Sequence, residues 1–412
     1  MSTSIGTVKE ILQRLVKQIP GNLRELPRQY FIHNLFSSEV TVDEHLELVK
    51  FMENIMLRAR ELDASDIEIG GHGCRGYIWL RIKGEKLPVR EFGTFSRDET
   101  NILIQSLMVE NQREFLFERL SCDFSYTIYK NEDTPLRYRY CAYFELGDLA
   151  LNIRAVEAKI RPYKSYGFHP NVTRLMSLKY TKEGLILITG ITGAGKSTTL
   201  EAIVDLNNRT IPAHIVIIAR PVEYIHKSIK CIIRHREVGM DTRSFKDGAI
   251  EALRQDPDII VIGEMRDPDT IMTALEAADS GHKVFSTLHT YSAVESIQRI
   301  IGEMPPLEQS RVRNRLADIL RCVVSQRLVP GRDKNLLLAK EVMIMTPSIK
   351  AAIRNDHIEE IYQMISEGGK LGMQTLEQDL LRLYQANKIT LETAMSYANN
   401  KRRMEQLLTM VK

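Results

Sequence analysis

The sequence predicts an α/β protein built around a doubly wound parallel sheet, with a smaller α+β domain ahead of it and mainly helices behind. Three observations carry this. Short, fully apolar, β-branched runs at 184–189 (GLILIT), 214–219 (HIVIIA), 259–263 (IIVIG) and 284–287 (VFST) alternate with helix-forming stretches. Strands buried on both faces and joined by crossover helices have this texture. Before residue 160 the order differs. A long helix at 43–62 precedes a strand-like run at 77–84, a helix near 97–120, and strands near 122–130, 137–145 and 149–156, which reads as a compact α+β unit. Finally, 412 residues at 43% hydrophobic and 26% charged fit a folded chain of two or three domains. They exclude a disordered, collagen-like or disulfide-scaffold protein.

Taken in order, Val8, Ile11, Leu12, Leu15, Val16 and Ile19 recur at helical spacing and make a short amphipathic helix that packs on the chain's own body or meets a membrane surface or a partner. Pro20-Gly21 and Pro27 break the pattern, so residues 1–45 read as an N-terminal extension and 46–160 as the α+β domain. Pro162, Gly167 and Pro170 mark an interdomain linker over 161–183. The parallel-sheet core is expected over 184–305. Residues 306–412 are expected to be its mainly helical continuation, interrupted by VVSQRLVP and LLLAKEVMIM. A helix over 311–327 would carry Arg311, Arg313, Arg315, Arg321 and Arg327, either as a solvated face or towards a neighbouring subunit or acidic partner.

Charge and cysteines narrow the class. A net charge of +3, with no strongly basic half, gives no footprint for nucleic acid. No apolar run approaches the length of a membrane span, and the first twenty residues lack a secretory core and cleavage site. The five cysteines are scattered without a C-x-x-C pair, so neither zinc nor a disulfide framework is expected. A cytoplasmic protein is the simplest reading.

The chemistry concentrates at 190–197, GITGAGKS, a G-x-x-x-x-G-K-S loop between a strand and a helix. Gly190, Gly193 and Gly195, with Thr192 and Ala194, let backbone N–H groups converge on phosphates at a helix N-terminus. Lys196 is placed to reach the β- and γ-phosphates, Ser197 to bind Mg²⁺ and Thr198 to touch the α-phosphate. In a parallel sheet, ligands gather at the carboxyl ends of strands. Glu264, just after the 259–263 strand, is therefore at the phosphate end, able to hold Mg²⁺ or orient the attacking water. Asp258 is at the opposite end. The same logic puts His289 near the γ-phosphate, with His282 a weaker candidate.

These motifs resemble a known family. The P-loop, PVEYIH (221–226), REVGMDTRSF (236–245), RQDPDIIVIGEMRDPDTI (254–271) and AADSGHKVFSTLHT (277–290) look like the type IV pilus retraction ATPases, the twitching-motility PilT-type group of the type II/IV secretion ATPase superfamily. ASDIEI (64–69) and CDFSYTIY (122–129) resemble its N-terminal domain, and LGMQTLEQDLLRLY (371–384) its C-terminal helices. The lack of a late four-cysteine module favours the retraction branch, and GEMRD (263–267) points the same way. The resemblance implies a RecA-like P-loop domain with an N-terminal PAS-like α+β domain and C-terminal helices. It implies a Mg²⁺-dependent, ATP-hydrolysing homohexameric ring that depolymerises pilin against an inner-membrane platform protein, alongside other pilus ATPases. Such a ring would work at the cytoplasmic face of the inner membrane, associated peripherally through its partners. By carry-over, Lys196, Ser197, Glu264, His282 and His289 match the family's P-loop, acidic strand-end and histidine positions. Arg137, Arg139 and Arg154 match basic residues that the N-terminal domain offers to nucleotide phosphates, Arg154 above all.

One departure stands out. After the 214–218 strand the family has Glu-Asp-Pro, whereas this chain has Ala219-Arg220-Pro221, followed by Val222 and a retained Glu223. Glu264 then suffices as the base, or Arg220 faces phosphate as a cation, or Arg220 points to solvent. A degenerate site would instead make the chain a nucleotide-binding, weakly hydrolysing auxiliary subunit of the same machine.

Overall fold

The computed structural model describes residues 5–129, 135–156 and 160–410. Residues 1–4 of the expected extension, 130 of the expected 122–130 strand, 157–159 of the expected first domain, 131–134, and 411–412 lie outside the described residues. By contact density the chain forms two units, Met1–Ala158 with Arg220–Ile225, and Lys159–Ala219 with His226–Lys412.

The first unit opens with α1 (Ile5–Val16), α2 (Glu25–Ser38) and α3 (Val42–Glu61), then β1 (Ala64–Gly70), β2 (Ile78–Ile82) and β3 (Glu85–Val89). It continues through α4 (Arg97–Ser106), α5 (Glu110–Arg119), β4 (Ser121–Tyr129), β5 (Pro135–Glu145) and β6 (Asp148–Ala155). The strands make one antiparallel sheet in the order β3-β2-β1-β6-β5-β4. Period-2 alternation decides its faces. Ile67, Ile69, Ile78, Leu80, Tyr138, Tyr140, Leu151 and Ile153 point inward and join Leu48, Met52, Ile55 and Met56 of α3 in one core. Val8, Leu12 and Leu15 of α1 enter the same core, so the first amphipathic stripe is spent on the chain's own body. A Thr41–Glu44 capping box starts α3, and Asp43 and Glu44 in its first turn against Arg58 and Arg60 in its last complement the helix dipole.

The second unit runs α6 (Pro170–Met176), β7 (Gly184–Thr189), α7 (Lys196–Thr210), β8 (His214–Ala219), β9 (Ile232–Glu237), α8 (Phe245–Ala252), β10 (Ile259–Ile262), α9 (Pro268–Asp279) and β11 (Lys283–Leu288). After it come α10 (Ala293–Gly302), α11 (Pro306–Ile319), β12 (Leu320–Pro330), β13 (Leu336–Ile344), α12 (Pro347–Arg354), α13 (Ile361–Glu367), α14 (Leu376–Gln385), α15 (Leu391–Tyr397) and α16 (Lys401–Thr409). Its sheet order is β13-β12-β7-β11-β10-β8-β9, parallel throughout except for the β12–β13 hairpin. Every residue of β7, β10 and β11 is buried, as strands covered on both faces must be. The carboxyl ends of β7, β8, β10 and β11 share one rim.

The expected 311–327 helix needs correction. It ends at Ile319, and residues 320–330 pair with β7 and β13 as a strand. Leu320 and the buried Cys322-Val323-Val324 run gain more from two-faced burial in the sheet than from an exposed helix. Arg321 and Arg327 therefore sit on β12, while Arg311, Arg313 and Arg315 on α11 pair with Glu308, Asp356 and Asp279. The basic helix is a self-neutralised face. At the other rim of the sheet, Lys283 is 0% exposed and donates to the carbonyls of Leu175 (2.6 Å) and Thr181 (2.8 Å). Burial brings its amine down to about 7. Among the described residues no helix is long and apolar enough to cross a membrane, and all five cysteines are free thiols.

Candidate active site

β7 delivers the chain to Gly190, and α7 begins at Lys196. Between them the backbone turns tightly. Gly193 and Gly195 hold φ of 81° and 84°, a region that favours glycine, and a Cβ on either would meet nothing within 4 Å. Those glycines shape a loop whose concave side is open. Gly190 serves differently: a Cβ there would lie 2.5 Å from the Gln326 carbonyl oxygen and 2.8 Å from Ala194 Cβ. The open concavity at the start of a 15-residue helix fits a nucleotide's phosphates. Lys196 is buried, and its Nζ donates to the carbonyls of Gly190 (2.8 Å) and Ile191 (3.1 Å). Burial lowers its pKa, with nearby Glu264 opposing. Thr192, Ser197 and Thr198 are exposed.

Beside the loop, β10 is held between β8 and β11. The Gly263 N–H donates to the Ile218 carbonyl (2.8 Å), Met265 N–H to the Thr287 carbonyl (3.1 Å), and Thr287 Oγ1 to the Gly263 carbonyl (2.7 Å). These bonds place Glu264 at the rim, 17% exposed, its Oε1 3.0 Å from His289 Nε2 and 2.7 Å from Arg266 Nε. Burial lowers the His289 pKa, the neighbouring Lys196 adds to that, and Glu264 opposes it. Near neutral pH the histidine is therefore largely uncharged, and Nε2–H donates to Glu264. Lys196, Glu264 and His289 thus form one interacting group of a cation, a carboxylate and an imidazole.

On the first unit, strand register builds a second charged feature. Directly opposed residues across the outward face run Lys86, Arg81, Asp66, Arg154, Arg139 and Ser125. Arg154 and Arg139 face each other, an arrangement that like charges disfavour unless carboxylates or a bound anion offset it. Asp66 offsets part. It lies 2.8 Å from Arg154 and 3.6 Å from Arg81. Burial would raise its pKa, but bonds from Ser65 and Arg154 and the Arg81 charge bring the net shift below the usual carboxylate range. Among the described residues, the ion-pair partner of Arg139 is Asp123 at 4.0 Å. Arg154 and Arg139 stay 65% and 45% exposed, while Lys86 in the same row pairs with Glu68. Arg137 is committed elsewhere, bonding Ser125, Thr127 and the Val222 carbonyl.

With fold and site in place, the family follows. A profile described as type II/IV secretion system protein matches residues 41–408. The chain belongs to that family. The type IV pilus retraction ATPase PilT of Pseudomonas aeruginosa is 39% identical over 300 residues, 73% of this chain and 85% of that relative. A twitching motility protein of Neisseria gonorrhoeae is 36% identical over 326 residues, 79% and 85% of the two chains. The crystal structure of the pilus retraction motor PilT with bound ADP superposes with a TM-score of 0.76 at 37% identity, covering 85% of this chain and 98% of the other. The motif-level resemblance to the pilus retraction ATPases is borne out, and so is the α/β fold it implied.

Within this secretion-ATPase frame the structure sorts the expected site residues. Gly190 to Thr198, Glu264 and His289 share the rim of the second unit. Arg139 and Arg154 share a face of the first, and Glu223 lies in the 220–225 segment that clusters with that unit. His282 is a correction. It precedes β11 by one residue and bonds Ser280 and the Ala277 carbonyl. The β7–β11 register puts it at the rim opposite the P-loop of its own chain, so it takes no part in that loop's phosphate site. Arg220 clusters with the first unit, where its guanidinium lies 5.6 Å over the Phe115 ring. Sequence reasoning missed Ser325 and Gln326, which bond Thr189 (2.9 Å) and Thr199 (2.8 Å) from β12. Two polar residues inside the apolar run VVSQRLV were the available signal.

Proposed function

We propose that this chain is an ATP-hydrolysing motor that drives type IV pilus retraction, acting as a homohexameric ring with Mg²⁺. The observation that carries the reading is Glu264, held by His289 at the sheet rim beside the P-loop. The loop's N–H groups and the α7 N-terminus take the phosphates. Lys196 exchanges its two carbonyl partners for phosphate oxygens, and its charge stays at the site throughout. Ser197 would supply the protein's hydroxyl ligand for Mg²⁺, and Glu264 would be the carboxylate available to it. The bound ion supplies neutralisation of phosphate charge. Glu264 orients the attacking water and takes its proton, and His289 keeps the carboxylate in place and reports the γ-phosphate. Arg154 and Arg139 offer cations to the nucleotide from the N-terminal PAS-like domain. The motor works at the cytoplasmic face of the inner membrane, against a platform protein and beside other pilus ATPases.

A second reading, a nucleotide-binding and weakly hydrolysing auxiliary subunit of the same machine, is favoured by Ala219-Arg220, which leaves β8 without a carboxylate at its catalytic end. Steady-state ATP turnover separates the two. The motor reading expects turnover by the wild-type protein, loss of it in Lys196→Ala and Glu264→Ala, and a faster rate in Ala219→Glu/Arg220→Asp. A wild-type chain that binds ATP yet is no faster than Glu264→Ala leaves the auxiliary reading in its place.

A further inference from the structure

The loop that follows His289 is anchored from a distance. Thr290 Oγ1 lies 2.6 Å from Ser296 Oγ, the Tyr291 N–H donates to Glu295 (2.6 Å), and the Ala293 N–H donates to the buried Glu341 (2.7 Å). Those contacts are made by α10 and β13. A further set comes from the corner between α15 and α16. Asn399 Nδ2 donates to the Tyr291 carbonyl (3.3 Å). Arg327 on β12 places its guanidinium 5.5 Å from the centre of the Tyr291 ring. The same guanidinium donates through Nη1 to the Tyr397 carbonyl (2.5 Å) and through Nη2 to Asn399 Oδ1 (2.9 Å). The corner itself is pinned, since the Asn400 N–H donates to the buried Glu377 (2.8 Å).

Arg327 also ends a run of contacts along β12. Ser325 bonds Thr189, the residue before the P-loop, and Gln326 bonds Thr199 on its helix. One three-residue stretch therefore touches the phosphate loop, the loop after His289 and the C-terminal helices. A planar guanidinium can stack a ring on its face while its edge donates to two oxygens, a fixed fork that a lysine's point-like ammonium does not reproduce. Loops carrying functional groups hold their geometry only when tied to rigid elements.

We propose that Arg327 is a positioning residue for hydrolysis: it ties the Tyr291 loop, and so His289, to the 397–400 corner of the C-terminal helices. The inference rests on His289 acting in hydrolysis. Displacing a reacting group by about 1 Å costs up to about 10²-fold, and the loss of a tie on an exposed loop is expected to cost about tenfold.

The test is steady-state turnover of the full chain beside equilibrium binding of ADP, for Arg327→Ala, Arg327→Lys, Asn399→Ala and His289→Asn, with Arg327→Ala also in the His289→Asn background. Arg327→Ala should lower kcat about tenfold with ADP affinity unchanged within about twofold. Arg327→Lys should recover part of the loss, and Asn399→Ala should show a smaller one. In the His289→Asn background Arg327→Ala should add nothing, because the group it positions is gone. Unchanged kcat in Arg327→Ala, or the same fall with and without His289, overturns the proposal. If Arg327→Ala does not fold, the Asn399→Ala result, alone and with His289→Asn, decides in the same way. A His289→Asn variant as fast as wild type removes the role of His289 itself, a distinct outcome that takes the proposal with it.

Discussion

Two neighbouring strands leave the same rim of the sheet in opposite ways. β8 and β10 pair in parallel, Ile218 beside Ile262. From β10 the chain passes through Gly263 to Glu264, a carboxylate held by His289 and Arg266. From β8 it passes through Ala219 to Arg220, whose side chain turns to Phe115 in the first unit. One exit is furnished for chemistry and the other is emptied of it. Of these two exits, that of β10 presents a carboxylate and that of β8 does not, so the role of the second position is open to addition as well as removal.

The largest effect expected is at the furnished exit. Glu264→Gln should lower turnover about 10²–10⁴-fold while ADP binding, made by the P-loop, persists; an isothermal titration with ADP beside a phosphate-release assay reads both. At the emptied exit, Ala219→Glu with Arg220→Asp should raise turnover by about tenfold, and no gain would mean that Glu264 already saturates the need. Arg154→Ala removes a cation that is 65% exposed, so a severalfold rise in KM is expected, shrinking as salt is raised. The smallest effect concerns stability. Burial raises the Glu341 carboxyl from 4.5 to about 7. The folded state therefore holds an extra proton between those values, and stability from this group is present below pH 4.5 and lost as pH rises through 7. Glu341→Gln mimics the protonated form. Its melting temperature should exceed that of wild type at pH 8, and the two should converge towards pH 4.5.

What was legible in the sequence follows from the range over which each feature is built. The P-loop is made by consecutive residues, and its glycines, lysine and flanking apolar strand are all local, so GITGAGKS could be read directly. Glu264 and His289 were legible at one remove, because the rule that parallel strands present ligands at their carboxyl ends needs only strand positions. The row from Lys86 to Ser125 was not legible, since it requires the register of six strands in an order that sequence spacing does not carry. Arg139 and Arg154 were singled out by resemblance; their facing partners came from the fold. β12 was mistaken in part for helix because Val312, Leu316 and Ile319 keep helical spacing up to a boundary with neither proline nor glycine. Only the pairing of 320–330 with β7 and β13 decides the matter.

Lys283 gives this architecture a built-in chemical reporter. Burial brings this amine down to about 7, and an opening that returns it to water both exposes it to an acylating reagent and restores its ordinary basicity. With 0% exposure, capped by the carbonyls of Leu175 and Thr181, it is unreachable while that end of the sheet stays closed. The rate at which Lys283 is acylated is therefore set by how often the 175–181 segment lifts away. Comparing that rate with and without nucleotide would time, residue-specifically, whether loading the P-loop rim is felt at the far rim of the same sheet.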